Sequence, residues 1–282
     1  MIAGCVILFN PEMESYDNIL SYVKELTELF VIDNSTLVNN EIVEKIIKLP
    51  NVTYINNGGN KGIAKALNIG AMKAFESGYQ WFLTMDQDSF FLKPSSFFNI
   101  IDNAESKVGI YAASYTDDYD RWIKPYNKDF NEIHFVITSG NLINLKAWHK
   151  VHGFEEKLFI DEVDHDYCMK LRKNDYRILT TTKLYLQHSV GKQIENYDGK
   201  TFDGHSPVRY YYITRNTLYI VKKYFFEDIG FVFNRVRHLS KNLIKIVLFY
   251  PQKSEYLKNV GKGAGDFAKG RYGPFEQNNK NI

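Results

Sequence analysis

The chain has 282 residues, 44% of them hydrophobic and 24% charged, which is enough for a packed core in one large domain, or a domain with an appendage, and excludes general disorder. Two cysteines, Cys5 and Cys168, give neither a disulfide framework nor a Cys-based metal site. The formal charge of +2 hides an asymmetry, because residues 222–282 carry a net +7 and the rest is net acidic, so the far end of the chain suits an anionic surface or ligand.

Ile2–Phe9 is a short apolar run suited to a buried parallel strand, and Asn10-Pro11 breaks it. The start lacks a basic n-region and a small-residue cleavage site, so it reads as a strand and not as a signal peptide. Apolar residues Ile19, Leu20, Val23, Leu26 and Leu29 recur at helical spacing after Ser15. Leu29–Ile32 then reads as a strand ending at Asp33-Asn34-Ser35, residues 39–48 as a helix and Val52–Ile55 as a third strand. A glycine-bearing loop, Asn56–Gly62, leads into a helix over Ile63–Phe75, and Trp81–Met85 is a fourth strand ending at Asp86. Alternating strand and helix predicts an α/β fold with a mostly parallel sheet, with ligands at the carboxyl ends of the strands.

Further along, Val108–Ser114 and His134–Ile143 read as strands, and Glu162–Asn174 as a helix. Arg177–Leu179 and Lys183–Gln187 read as two strands, Val190–Ser206 as a loop, and Pro207 to about Lys269 as helical. The domains are thus 1–206, with halves 1–114 and 115–206, and a basic helical region 207–282. No apolar run approaches the roughly 18–20 residues that cross a bilayer, so the chain reads as a soluble, cytoplasmic-type protein.

Asp86-Gln87-Asp88 places two carboxylates one residue apart at a strand's end. They repel unless a cation or ordered donors sit between them, and hard oxygen ligands suit Mg²⁺ or Mn²⁺ bridging to phosphates. Asp161, Glu162, Asp164 and Asp166 crowd the start of a helix. The helix dipole accounts for one or two of them, and one is a candidate general base. His188 follows a strand and could join a metal site. Arg209 and Arg215 lie on a helical stretch with Tyr210, Tyr211 and Asn216, and guanidinium forks suit a diphosphate. The loop Gly58-Gly59-Asn60-Lys61-Gly62 could offer backbone N–H groups to an anion, yet it is neither a Walker A sequence nor a dinucleotide fingerprint.

In order, VIDNS (31–35), NKGIAKALNIG (60–70), FLTMDQDS (82–89), ITSGNLI (137–143), GFEEKLFIDEVDHDYCMKLR (153–172) and HSPVRYYYITRN (205–216) resemble the family-2 inverting glycosyltransferases with a GT-A fold, and in particular their rhamnosyltransferase-like branch. The tail GKGAGDFAKGRYG (261–273) also looks like that branch. The resemblance implies that Asp33, with Asn34 and Lys61 beside it, contacts the nucleobase or ribose of a nucleotide sugar. It implies that Asp86, Gln87 and Asp88 hold the sugar nucleotide and its Mn²⁺ or Mg²⁺, with Asp88 the direct ligand and His188 a second. Asp164 matches the family's catalytic base, with Asp161 the second candidate because Val163 stands where the family's acidic pair begins. Ser139, Gly140 and Asn141 would line the sugar pocket, and Arg215 and Arg209 would steady the diphosphate.

The implied reaction is an inverting hexosyl transfer from dTDP-rhamnose, or alternatively from a UDP-sugar, to a glycan or polyprenyl-diphosphate-linked acceptor. The basic helices, with Leu243, Ile244, Ile246, Val247, Leu248 and Phe249, would rest on the inner face of a membrane or form a homodimer. Rival readings are a haloacid-dehalogenase-type phosphatase with Asp86 as nucleophile, and an inert nucleotide-sugar-binding protein. Nucleic acid is not an expected partner, since the body is acidic and carries no recognition motif.

Overall fold

A computed structural model describes residues 1–92, 100–101, 104–116, 129–188, 193–195 and 201–275; the side chains of 115–116, 182–184, 188, 193–195 and 201–203 lie outside that description. The chain divides into two compact units, one of residues 1–156 and 163–189, the other of residues 157–162 and 190–282.

The first unit is built on a sheet. Its strands are β1 (Ile2–Leu8), β2 (Glu28–Asp33), β3 (Val52–Asn56), β4 (Trp81–Asp86), β5 (Ser89–Phe91), β6 (Val108–Thr116), β7 (Phe130–Glu132), β8 (Asn141–Asn144) and β9 (Arg177–His188). They run in the order β3-β2-β1-β4-β8-β6-β9-β5, with β7 also on β9. The helices are α1 (Met13–Leu20), α2 (Asn40–Ile46), α3 (Ile63–Glu76), α4 (Leu145–Lys150) and α5 (Val163–Lys173). β1 is buried at all seven positions and pairs in parallel with β2 and β4, which is why its sequence is a continuous apolar run instead of an alternating one. Gly4 lets it lie close under Leu26, since a Cβ there would come 2.6 Å from the leucine Cδ1. The chain steps outward from β1 to β3 and returns to β4 on the other side of β1, so a topological switch point opens at the carboxyl ends of β1 and β4.

Several local expectations change. The helical spacing that runs to Leu29 is cut at Leu20, and Val23–Glu25 is a single 3₁₀ turn. The strand expected over His134–Ile143 is confined to Asn141–Asn144. Arg177–Leu179 and Lys183–Gln187 are one strand, whose register against β6 jumps from Ala113↔Thr181 to Ser114↔Tyr185. The backbone of 182–184 is extra there, and the break between the two expected strands falls on the polar run Thr180, Thr181 and Thr182.

The second unit holds a hairpin of β10 (Gln193–Glu195) and β11 (Thr201–Asp203), unforeseen in the expected loop, and three helices: α6 (Pro207–Tyr224), α7 (Ile229–Phe249) and α8 (Lys253–Ala268). Ser206 caps α6, accepting from the Arg209 amide, with Pro207 in the first turn. The rings of Tyr210, Tyr250 and Tyr256 meet edge to face, and the Tyr210 and Tyr250 hydroxyls are 2.7 Å apart. Among the described residues no helix is long and apolar enough to cross a membrane.

Candidate functional site

The polar residues of the first unit collect where its parallel strands end. Asp33 closes β2, in register with Leu8, and Asp86 closes β4, in register with Ile7. With β1 between them, the two acids stand about 10 Å apart along the sheet edge, two strand spacings. Asp33 is buried; its carboxylate accepts from the Ser35 amide at 2.8 Å and the Tyr54 hydroxyl at 2.6 Å. Asn34 donates to the Gly62 carbonyl and accepts from Asn57, which ties the end of β2 to the glycine loop. In that loop Gly58, Gly59 and Gly62 all have positive φ, a conformation that β-carbons disfavour. Lys61 is exposed beside them.

After β4 the chain makes a tight turn, Gln87-Asp88, into β5. Gln87 is spent on the main chain: it accepts from the Phe9 amide at 2.8 Å and donates to the Phe9 carbonyl at 3.2 Å. That pins the turn to the end of β1. Asp86 is half-buried and Asp88 exposed. β5 folds back onto β9 with Ser89 opposite His188, so the backbone brings position 188 beside the two aspartates; the His188 side chain is outside the description. Among the described residues no three His, Cys, Asp or Glu side chains form a metal cluster. Two carboxylates at an open turn fit an ion that completes its shell with phosphate oxygens and water.

Ser139, Gly140 and Asn141 adjoin this turn. The Asp86 amide donates to Ser139 Oγ at 3.1 Å, and the Gly140 amide donates to the Thr84 carbonyl. Asn141 Nδ2 donates to the Ile137 and Thr138 carbonyls. Gly140 has φ 77° and faces Leu186, with 2.9 Å left for a β-carbon. These residues hold a short irregular stretch where a strand was expected.

Ser139 and Asn141 line a cavity of about 280 Å³ together with Asp164, His165, Phe135 and Thr180. Asp164, in the first turn of α5, is partly exposed and accepts from the His165 amide at 2.8 Å, with His165 Nδ1 at 3.1 Å. Burial alone would raise its carboxyl, but His165 outweighs that and holds it below the usual carboxylate range. Asp164 is therefore ionised at neutral pH, the form a general base requires. Asp166 is fully buried, 3.2 Å from Lys170 Nζ.

In the second unit Asp161 is ion-paired, with Arg209 Nε 2.7 Å from its Oδ2. Arg215 departs furthest from expectation. It is fully buried, with Nε on Asn216, Nη1 on Tyr211 Oη and the Gly273 carbonyl, and Nη2 on the Lys157 and Leu158 carbonyls. All five N–H donors are engaged by the chain. Phe159, Asp161 and Glu162 all have φ between 63° and 67°, strain of about 1–3 kcal/mol per residue that surrounding contacts must offset.

Sequence reasoning missed His165, Thr217 and the reach of Asn216. A histidine next to a candidate base is a usable signal, whereas a helical Asn-Thr pair carries none until its neighbours are known.

The profile of glycosyl transferase family 2 matches residues 14–172, more than half of the chain. A dTDP-rhamnosyl transferase, RfbF of Shigella flexneri, is 27% identical over 239 residues, covering 79% of this chain and 80% of that protein. Among solved structures, S. aureus TarS 1-349 in complex with UDP superposes with a TM-score of 0.60 at 14% identity, covering 99% of this chain and 94% of that one. GalNAc-T7 with UDP, GalNAc and Mn²⁺ superposes with a TM-score of 0.55 at 12% identity, over 67% of this chain and 44% of that one. The fold is the GT-A fold that the resemblance implied.

Proposed function

We propose a donor, a metal and an acceptor class for this chain, which belongs to glycosyl transferase family 2 and is a glycosyltransferase. Membership leaves no place for the phosphatase reading. The donor is dTDP-L-rhamnose, a reading supported by the Shigella relative named as a dTDP-rhamnosyl transferase. A UDP-sugar is the second reading, since TarS has been solved with UDP-GlcNAc.

One observation carries the mechanism: an ionised Asp164 shares a cavity wall with Ser139, whose hydroxyl also holds the main chain of Asp86. The base and the acidic turn thus border one segment. In the reaction an acceptor hydroxyl attacks the anomeric carbon, and Asp164 takes its proton. The attack comes on the face opposite the diphosphate, whose bond to the anomeric carbon breaks with its electron pair leaving on the diphosphate, and the configuration is inverted. Asp33, Asn34 and Lys61 hold the nucleoside, while Ser139, Gly140 and Asn141 shape the sugar pocket. Arg209 is left to approach the diphosphate, with Asp161 as its partner and not as base. Asp88, Asp86 and His188 would hold Mn²⁺ or Mg²⁺, which supplies neutralisation of the diphosphate charge. The catalytic region is 1–206 and the basic helical region 207–282.

The acceptor is a glycan or polyprenyl-diphosphate-linked sugar at the inner face of a membrane. Exposed Ile229, Phe233, Val236, Ile244 and Val247 fall on one stripe of α7, with Arg237 and Lys241 flanking it, the pattern of a helix lying on anionic lipid. A homodimer through the same stripe is the alternative.

Melting with dTDP, UDP or GDP, each with Mn²⁺, Mg²⁺ or EDTA, tests the reading. A nucleotide at about 100 times its dissociation constant adds about 2.7 kcal/mol. We expect dTDP to stabilise most, and EDTA to abolish the gain. Equal melting under all conditions would overturn the proposal.

A further inference from the structure

We infer that Arg215, Asn216 and Thr217, consecutive on α6, are positioning residues that clamp segment 157–162 and so set the entry of the chain into Asp164. The functional half of this inference rests on Asp164 being the base.

The segment takes much of its bonding from outside itself. Three of its residues, Phe159, Asp161 and Glu162, adopt left-handed φ values that L side chains disfavour. Its carbonyls turn inward and are met from α6. Asn216 Nδ2 reaches the carbonyls of Leu158 (2.8 Å), Ile160 (2.6 Å) and Asp161 (3.2 Å). Arg215 Nη2 reaches those of Leu158 (3.1 Å) and Lys157 (3.4 Å). Thr217 Oγ1 donates to Glu162 Oε1 at 2.9 Å. Phe159 stacks on Tyr212 at 5.2 Å, and Asp161 is paired with Arg209. Every residue from 157 to 162 is therefore gripped by the same helix.

The grip is itself locked from behind. Arg215 Nη1 donates to the Gly273 carbonyl, and the Gly273 amide donates to the Lys157 carbonyl. Gly263 of α8 lies against the Tyr211 carbonyl, one turn from Arg215. Arg215 and Asn216 are fully buried, so neither water nor another conformer can replace a lost partner without leaving polar groups unsatisfied. Glu162, the last clamped residue, is bonded to Val163, the first of α5, and Asp164 is next. Release would let residues 159–162 relax to negative φ, two residues before Asp164 along the chain. Of the six non-glycine residues with positive φ among the described residues, three, Phe159, Asp161 and Glu162, lie within five positions of Asp164.

The experiment compares hydrogen exchange and steady-state kinetics of the full chain with those of Thr217→Val and Asn216→Leu. Thr217→Val is nearly isosteric and serves if Asn216→Leu fails to fold. For Thr217→Val we expect exchange across 158–165 to rise at least about tenfold, with β1–β4 unchanged. We expect kcat per folded molecule to fall about 3–10-fold while donor KM moves less than about twofold, the signature of a displaced base instead of a lost binding contact. Unchanged exchange over 158–165 would overturn the clamp, and so would raised exchange with unaltered kcat. If the wild type transfers no sugar from any nucleotide donor, the proposed function fails. The exchange result then decides the clamp by itself.

Discussion

Helix α8 contains three glycines, Gly261, Gly263 and Gly265, whose replacement by alanine is expected to act with opposite signs. A glycine in a helix interior costs about 1 kcal/mol relative to alanine. Nothing lies within 4 Å of a Cβ built at Gly261 or Gly265, so each of those substitutions should simply recover that amount. At Gly263 the new Cβ would stand 2.5 Å from the Tyr211 carbonyl oxygen and 3.3 Å from the Arg215 nitrogen. Both are backbone atoms of α6, which no rotamer change can move aside. The helices must part, and such overpacking costs about 1–3 kcal/mol. Because the obstacle is main chain, the upper part of that range applies, for a net loss of about 1–2 kcal/mol against a gain of about 1 at the neighbours. Urea unfolding followed by far-ultraviolet circular dichroism would measure it. Gly261→Ala and Gly265→Ala should raise the midpoint and Gly263→Ala lower it. If all three variants are stabilised, the close α6–α8 contact is wrong, and the support behind Arg215 goes with it.

Asp164→Asn should lose about 10²–10⁴-fold in kcat with melting and nucleotide affinity retained; near-normal turnover in folded protein would remove Asp164 from the base role. His165→Gln takes away the group that holds Asp164 low while its burial stays. The carboxyl then moves upward, and because a base acts only when deprotonated, the acid limb of kcat/KM should shift to higher pH; an unmoved limb would refute the coupling. The exposed face of α7 should bind anionic vesicles in preference to neutral ones. Phe233→Asp, at a position 67% exposed, should weaken cosedimentation about 10–100-fold, in line with about 1.5–3 kcal/mol for one buried aromatic. No preference of the wild type for anionic lipid would count against the membrane reading.

Much of the fold is legible because it depends on local pattern. The buried run of β1, the acids that end β2 and β4, and the glycines before α3 are written at fixed spacings that a parallel sheet demands. The stretch at 134–140 misleads because its apolar residues line a cavity, and a cavity wall has the composition of a strand without its periodicity. Asp164 is legible as an acid in a helix's first turn. Its low carboxyl is not, because that depends on which way His165 turns.

Residue type and spacing along one dimension suffice for the family, for the first four strands with the helices between them, and for the contrast between an acidic body and a basic end. Where the Arg215 guanidinium lies is a matter of packing. The same guanidinium would serve a diphosphate in an open site, but here α8, the tail and segment 157–162 close around it, and five inward carbonyl, hydroxyl and amide oxygens consume its five donors. An arginine's partners are set by which distant segments reach it first, and that is a property of packing.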